Sequence, residues 1–264
     1  MKHDKIVAVI RAGMNSTSFP KDAMKCIISG KTALELVISR TRAIPLVDEI
    51  VVATTVNKND NYIARLCRDI KCDYFRGSEK NVLDRCCQAV KDRQPSKGIV
   101  MLTGDSVLLD PNLVNEIIKL YVNSDFEYIT NNNPATYPDG MDIEVFTFSA
   151  LYLAWKNTKT KADKKHVTLY LQKHKNIFKT MNLKYKKDIS DKIWRLNTIR
   201  DFNFIQRVYK ELYPKNKLFG MKDILDLLEK KPEIEKLNFG ESQNQLRSDI
   251  IHLVDTNIKN KEEF

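Results

Sequence analysis

The sequence predicts an α/β protein with a mostly parallel sheet flanked by helices. Three observations carry the architecture. Short β-branched runs recur through the first half of the chain, stretches of helical apolar spacing separate them, and polar loops follow directly after the runs.

The first run is Lys5 to Ile10, followed by a loop from Arg11 to Lys25. Ala33, Leu34, Val37 and Ile38 give Lys31 to Ala43 a helical stripe. Glu49 to Thr54 reads as the second strand, and Asp60 to Ile70 as a helix with Ile63, Ala64 and Cys67 on one face. Cys72 to Phe75 is a short third strand, Asn81 to Asp92 a helix, and Gly98 to Leu102 a fourth strand. Runs that are apolar throughout belong to strands buried on both faces, as in parallel sheets. Such sheets take ligands beyond the carboxyl ends of their strands, which directs attention to loops 11–25, 53–58 and 103–111.

Further along, Pro111 to Val122 reads as a helix and Glu127 to Thr130 as a strand. Asp139-Gly140 reads as a hairpin turn before the alternation at Ile143 and Val145. Lys165 to Lys173 is expected to be helical, and residues 184–197 to hold a strand ending near Asn197. Asp201 to Leu212 and Met221 to Lys230 read as amphipathic helices. The expected division is a main α/β domain over 1–212 and a C-terminal helical extension over 213–264.

The 264 residues, 42% of them hydrophobic, suffice for one large α/β domain with a small elaboration. No run of about 18 apolar residues predicts a membrane span. The N-terminus lacks the pattern of a secretory signal. Five cysteines without metal spacing suggest reduced thiols and a cytoplasmic setting. The net charge is +10, and residues 156–187 alone hold eleven lysines and no arginine. Such a face attracts nucleotide phosphates or acidic sugars as readily as nucleic acid; without a nucleic-acid motif, nucleic acid is not the expected partner.

Four segments carry candidate chemistry. In the first loop Gly13 admits close backbone approach, Asn15, Ser16 and Thr17 offer hydrogen bonds, and Arg11 and Lys21 supply charge for phosphates. The Walker A and G-x-G-x-x-G patterns are both absent. Thr103-Gly104-Asp105 follows the fourth strand, where a carboxylate is suited to Mg²⁺ on nucleotide phosphates, or equally to capping a turn. Arg76 and Arg85 could reach a nucleotide or a sugar carboxylate, or be solvated helix charges. Asp139, Asp142 and Glu144 could bind sugar hydroxyls or a cation, and His166 could meet an anionic group.

In order, these segments resemble the cytidylyltransferases of spore-coat polysaccharide synthesis, relatives of the CMP-sialic acid and CMP-Kdo synthetases. The resemblance rests on the A-x-M-x-S-T-x-x-P loop, EIVVATT, FRGS-x-x-NVLDR, TGDS-x-LLDP, YPDGMDIEVF, KKHVT-x-Y and a late N-T-x-x-DF. It implies a Rossmann-like nucleotidyltransferase fold over 1–212, attack of a sugar on the α-phosphate of CTP, release of pyrophosphate, Mg²⁺ as cofactor, and a homodimer reached through residues 140–180. It further implies nucleotide contacts at Ala12, Gly13, Asn15, Ser16, Thr17, Arg76, Thr103 and Gly104, and metal contacts at Asp105 and Asn197.

The chain departs from that pattern. Gly13 and Ser18 stand where the family loop has arginines, Asp22 where it has lysine, and Asn197 where it has a metal-binding aspartate. Arg11 and Lys21, one residue from two of those places, are the candidate substitutes. Two expectations therefore stand side by side: CMP transfer to an acidic or other surface-polysaccharide sugar, and binding of a nucleotide or sugar nucleotide without transfer.

Overall fold

The computed structural model describes residues 5–15, 19 and 21–238. Ser16, Thr17 and Ser18 of the first loop, and the last part of the C-terminal extension from residue 239, lie outside the described residues. Among those described, seven strands form one sheet in the order β5-β4-β1-β6-β8-β7-β9. They are β1 (Ile6–Arg11), β4 (Glu49–Thr55), β5 (Asp73–Gly77), β6 (Gly98–Thr103), β7 (Tyr128–Thr130), β8 (Glu144–Phe146) and β9 (Thr180–Asn182). A small antiparallel pair, β2 (Cys26–Ile28) and β3 (Lys31–Thr32), stands apart.

β5, β4, β1 and β6 run parallel, while β8 is antiparallel to both β6 and β7. Ile6, Ala8 and Ile10 of β1 enter one core, and Val7 and Val9 enter the other. In β6, Val100 and Leu102 part from Ile99 and Met101 in the same way. Both faces are thus covered, which is why these strands are apolar at every position.

Helices α1 (Ala33–Arg42), α2 (Asn61–Asp69), α4 (Pro111–Val122), α8 (Ile199–Leu212) and α9 (Met221–Lys230) contribute to the first core. α3 (Val82–Val90), α5 (Phe148–Asn157) and α7 (Leu169–Lys173) contribute to the second. The chain steps outward from β1 to β4 and β5, then returns to the other side of β1 as β6. The strand order reverses there, and the carboxyl ends of β1 and β6 open a crevice.

Local chemistry fixes the helix ends. Thr32 caps α1 by accepting from Glu35 N at 3.3 Å, and Asn81 caps α3 through Asp84 N at 3.0 Å. Asp110 caps α4 before Pro111 and also accepts Met221 N at 2.7 Å, tying α9 to the sheet. A Cβ on Gly220 would meet Asp110 Oδ2 at 2.5 Å, so glycine is required beside that carboxylate.

The first-half elements agree with the sequence to within a residue or two at each end. Three later expectations are corrected. Residues 184–197 form no strand beyond the isolated bridge between Ile193 and Asp139; the strand is β9, upstream. Tyr185 to Ile193 alternates too little apolar character to fill a sheet position. The expected 165–173 helix is broken at His166 to Thr168 into α6 (Lys161–Lys165) and α7. Pro138 to Met141 does form a tight turn, Met141 N donating to Pro138 O at 3.0 Å, but it lies inside the long connection between the antiparallel β7 and β8 and does not link their ends directly. α5 had not been expected, although Thr147 caps it and Phe148, Leu151, Tyr152 and Trp155 keep helical spacing.

Candidate active site

At the carboxyl ends of β1 and β6 lies a cavity of about 480 Å³, within the range of small-molecule sites. Arg11, Ala12 and Gly13 line it from β1, Met101 and Thr103 from β6, and Val82 and Arg85 from α3. Asp139, Asp142 and Glu144, Lys165 to Leu169, Gln172, Arg195 and Asn197 are also among its lining residues.

The start of the first loop is held from below. Ala12 N donates to Ala53 O at 3.2 Å, and Gly104 N donates to Arg11 O at 2.8 Å. Met14 N donates to Asp60 Oδ1 at 2.8 Å. Asp60, 1% exposed, also accepts through Oδ2 from Thr54 Oγ1 and Thr55 N at 3.0 Å, and from Thr55 Oγ1 at 2.5 Å. A carboxylate that binds two loops in this way fixes their relative position.

Two arginines line the cavity, and each keeps a buried Nε without a protein partner. Arg85 is 6% exposed; Nη1 donates to Ser78 O at 2.7 Å, but Nε has no partner. Nε of Arg11 is also buried and unpartnered. Burial and then the charge of Arg11 work to lower the Arg85 pKa, against the opposing influence of Cys86. Buried donors without partners are uncommon, and two in one cavity mark a place for an anion.

His166 closes α6 rather than starting a helix. Burial first, then Arg11 and Lys165, depress its pKa below 6.5, so the imidazole is neutral at neutral pH. Glu144 accepts from Tyr128 Oη at 2.6 Å and from Thr168 Oγ1 at 2.5 Å, with Gln172 Nε2 at 3.5 Å. Burial, and next Glu144, push the Tyr128 pKa well above 10.0.

The acidic turn meets a cation from within the chain. Arg195 Nε donates to Asp139 Oδ1 at 3.1 Å, Nη2 lies 3.0 Å from the same oxygen and donates to Asp142 Oδ2, and Nη1 stands 3.6 Å from Asp105 Oδ2. Asp105 Oδ1 accepts from Thr103 Oγ1. Asn197, two residues on from Arg195, donates its backbone N–H to Asp201 Oδ2 at 3.1 Å.

Of the residues singled out from sequence, Arg11, Ala12, Gly13, Thr103, Arg85, Asp139, Asp142, Glu144, His166 and Asn197 meet at the cavity. Asp105 and Gly104 sit at its edge through Thr103 and Arg11. Others go elsewhere. Arg76 spends its fork on Thr55 O, Asn61 Oδ1 and Asn57 O at 2.7–2.9 Å. Asn15 is exposed, donating to Glu79 Oε1 at 2.9 Å and accepting from Asn59 Nδ2 at 3.3 Å. Lys21 is exposed, at φ 63°, and absent from the lining.

Sequence reading passed over Asp60, Lys165, Thr168, Gln172 and Arg195. A signal existed for Arg195: it is the charged residue between Trp194 and Leu196, both buried, just before a helix cap.

A family model described as cytidylyltransferase matches residues 7–250. The protein MJ1063 of Methanocaldococcus jannaschii is 34% identical over 247 residues, covering 92% of this chain and 98% of its own. The spore coat polysaccharide biosynthesis protein SpsF of Bacillus subtilis is 27% identical over 237 residues, 86% of this chain and 95% of its own. A solved cytidylyltransferase structure from Leptospira borgpetersenii aligns with a TM-score of 0.85 at 25% identity, covering 91% of this chain and 100% of that one. With its sheet, its crevice and nearly its whole length matched, the chain belongs to the cytidylyltransferase family and is a nucleotidyltransferase.

Proposed function

We propose that the protein transfers CMP from CTP to an acidic or other sugar destined for a surface polysaccharide, releasing pyrophosphate. The observation that carries this reading is the pair of arginines, Arg11 and Arg85, lining the cavity of a cytidylyltransferase-family chain, each with a buried Nε that no protein group satisfies. The likeness to SpsF supports the polysaccharide setting.

In the transfer, an acceptor oxygen bonds to the α-phosphorus while the bond from that phosphorus to the bridging oxygen breaks. Pyrophosphate leaves with the electron pair, and the acceptor's proton passes to a base. Arg11 and Arg85 neutralise the phosphates. The backbone of Ala12 and Gly13, fixed by Asp60, bounds the nucleotide. Neutral His166, which lines the cavity, is the proposed acceptor of that proton. Glu144, Asp139 and Asp142 bound the acceptor end.

Magnesium enters this reading with the nucleotide, on its phosphates. The described residues form no cage of their own for it: no three His, Cys, Asp or Glu gather in metal-holding geometry. Asp105 already serves Thr103 and Arg195, and Asn197 contributes only an amide. No step is therefore assigned to a resident metal. A second copy of the chain is expected against residues 140–180, where Tyr152, Leu153 and Ile177 are exposed. The setting is cytoplasmic; among the described residues no helix is long and apolar enough to cross a membrane.

Purified protein offered CTP, UTP, GTP or ATP with Mg²⁺ and a panel of acidic sugars is expected to release pyrophosphate with CTP. Absence of release from every combination would end the transfer reading. Asp105→Ala is expected to abolish turnover with the melting temperature nearly unchanged; an active variant would remove Asp105 from the site. One observation favours binding without transfer: Lys21, the candidate substitute for the lysine of the loop pattern this chain resembles, stays outside the cavity. Calorimetric binding of CTP without turnover would select that reading.

A further inference from the structure

We infer that Arg195 is the resident cation of this cavity: held by Asp105, Asp139 and Asp142, it takes the place of a protein-bound divalent ion and turns its Nη1 edge to an anionic ligand. The inference concerns how the protein binds anions, and holds whichever nucleotide or sugar is used.

The contacts are a built unit rather than a chance rotamer. Both backbone neighbours of Arg195 are bonded to the acidic residues: Trp194 N donates to Asp139 O at 2.7 Å, and Leu196 N to Asp105 O at 3.0 Å. Gly140 packs against the Arg195 backbone so tightly that a Cβ there would lie 2.7 Å from Arg195 N. The backbone of Arg195 therefore cannot leave the acidic residues without moving two chain segments. Burial opposes the charge of Arg195, but Asp139, Asp105 and Asp142 more than offset it and raise its pKa. An arginine in this position is a permanent cation.

The division of its donors is informative. Nε and Nη2 serve Asp139 and Asp142, whereas Nη1 meets Asp105 at 3.6 Å, an ion pair beyond hydrogen-bond length. Nη1 thus keeps N–H donors for a ligand in the cavity that Arg195 lines. Mg²⁺ would need oxygen ligands at about 2.0–2.1 Å on nearly all sides. Here Asp139 Oδ1 and Asp142 Oδ2 already serve a positive group that repels such an ion.

The test begins with wild-type protein and Mn²⁺ as a paramagnetic probe. No saturable Mn²⁺ site is expected at submillimolar concentration without nucleotide; a saturable site that disappears in Asp105→Asn would overturn the inference. Inorganic pyrophosphate binding, read by calorimetry, is expected to differ by less than about threefold between EDTA and Mg²⁺, since Arg195 supplies the charge. Binding that vanishes in EDTA would equally overturn it. Arg195→Gln is expected to gain a Mn²⁺ site, seen as Mn²⁺-dependent stabilisation, whereas Arg195→Lys keeps the charge and stays blind to the ion. An Arg195→Gln protein that folds yet takes up no Mn²⁺ also counts against the inference. If that variant does not fold, the two wild-type measurements decide. A failure of CTP turnover alone, with Mn²⁺ still excluded, would strike the transfer reading and leave this one intact.

Discussion

Arg40 and Arg85 are both buried, at 1% and 6% exposure, yet their surroundings are opposite. Arg40 donates through Nε to Leu109 O at 2.6 Å, through Nη1 to Lys217 O at 3.3 Å and through Nη2 to Phe219 O, and it lies 4.6 Å from the Phe219 ring centre. Every arm of its fork is spent on joining α1, the loop after β6 and the segment before α9. Arg85 has one protein partner and an empty Nε beside the cavity. A buried cation whose donors are all used belongs to the architecture; one with donors left over is waiting for a ligand.

That contrast can be broken by experiment. The largest effect is expected from Arg40→Met, which strands three carbonyls and should cost about 3–4 kcal/mol in chemical denaturation. A loss below about 1 kcal/mol would deny Arg40 its structural role. Arg85→Met should leave stability within about 1 kcal/mol but weaken pyrophosphate or CTP binding by about 30-fold, the value of charge-assisted hydrogen bonds. Unchanged affinity would show that the spare donor has no ligand to meet.

His166 gives a smaller, pH-dependent effect. Its folded pKa lies below 6.5, so as pH falls past that value the unfolded chain takes up the proton first. Stability contributed by the neutral ring is therefore complete above 6.5 and declines as pH drops toward the folded pKa. Melting curves of His166→Gln should lose part of this acid decline; identical slopes would sink the assignment. The smallest effect is expected from Arg76→Ala, since that fork is spent outside the cavity: ligand affinity within about threefold of wild type, measured by calorimetry.

The same contrast explains what was legible in the sequence. β1, β4 and β6 could be read because strands buried on both faces are apolar without interruption. The crevice followed from their order, and Arg11, Gly13, Thr103 and Asp105 from their positions just beyond those strands. Arg76 misled because arginine beside a motif looks the same whether its fork meets a ligand or the carbonyls of a neighbouring loop. Arg195 and Asp60 escaped because their partners are 53–56 and 46 residues away, at Asp142, Asp139 and Met14. Only tertiary packing brings such pairs together. The false strand within 184–197 arose from the same limit: its backbone bends and turns, pairs with Asp139 at one isolated bridge, and delivers Arg195 and Asn197 to the cavity.

Gly140, at φ 100°, has a reach well beyond its own turn. It carries no charge and touches no candidate ligand atom, yet it sets how near the 193–197 segment can lie to the acidic turn. The electrostatic character of the crevice thus depends on a hydrogen atom where any other residue would have a carbon. A lineage could retune the polarity of this pocket by changing an uncharged position, and the alteration would be invisible to a search confined to ionisable side chains.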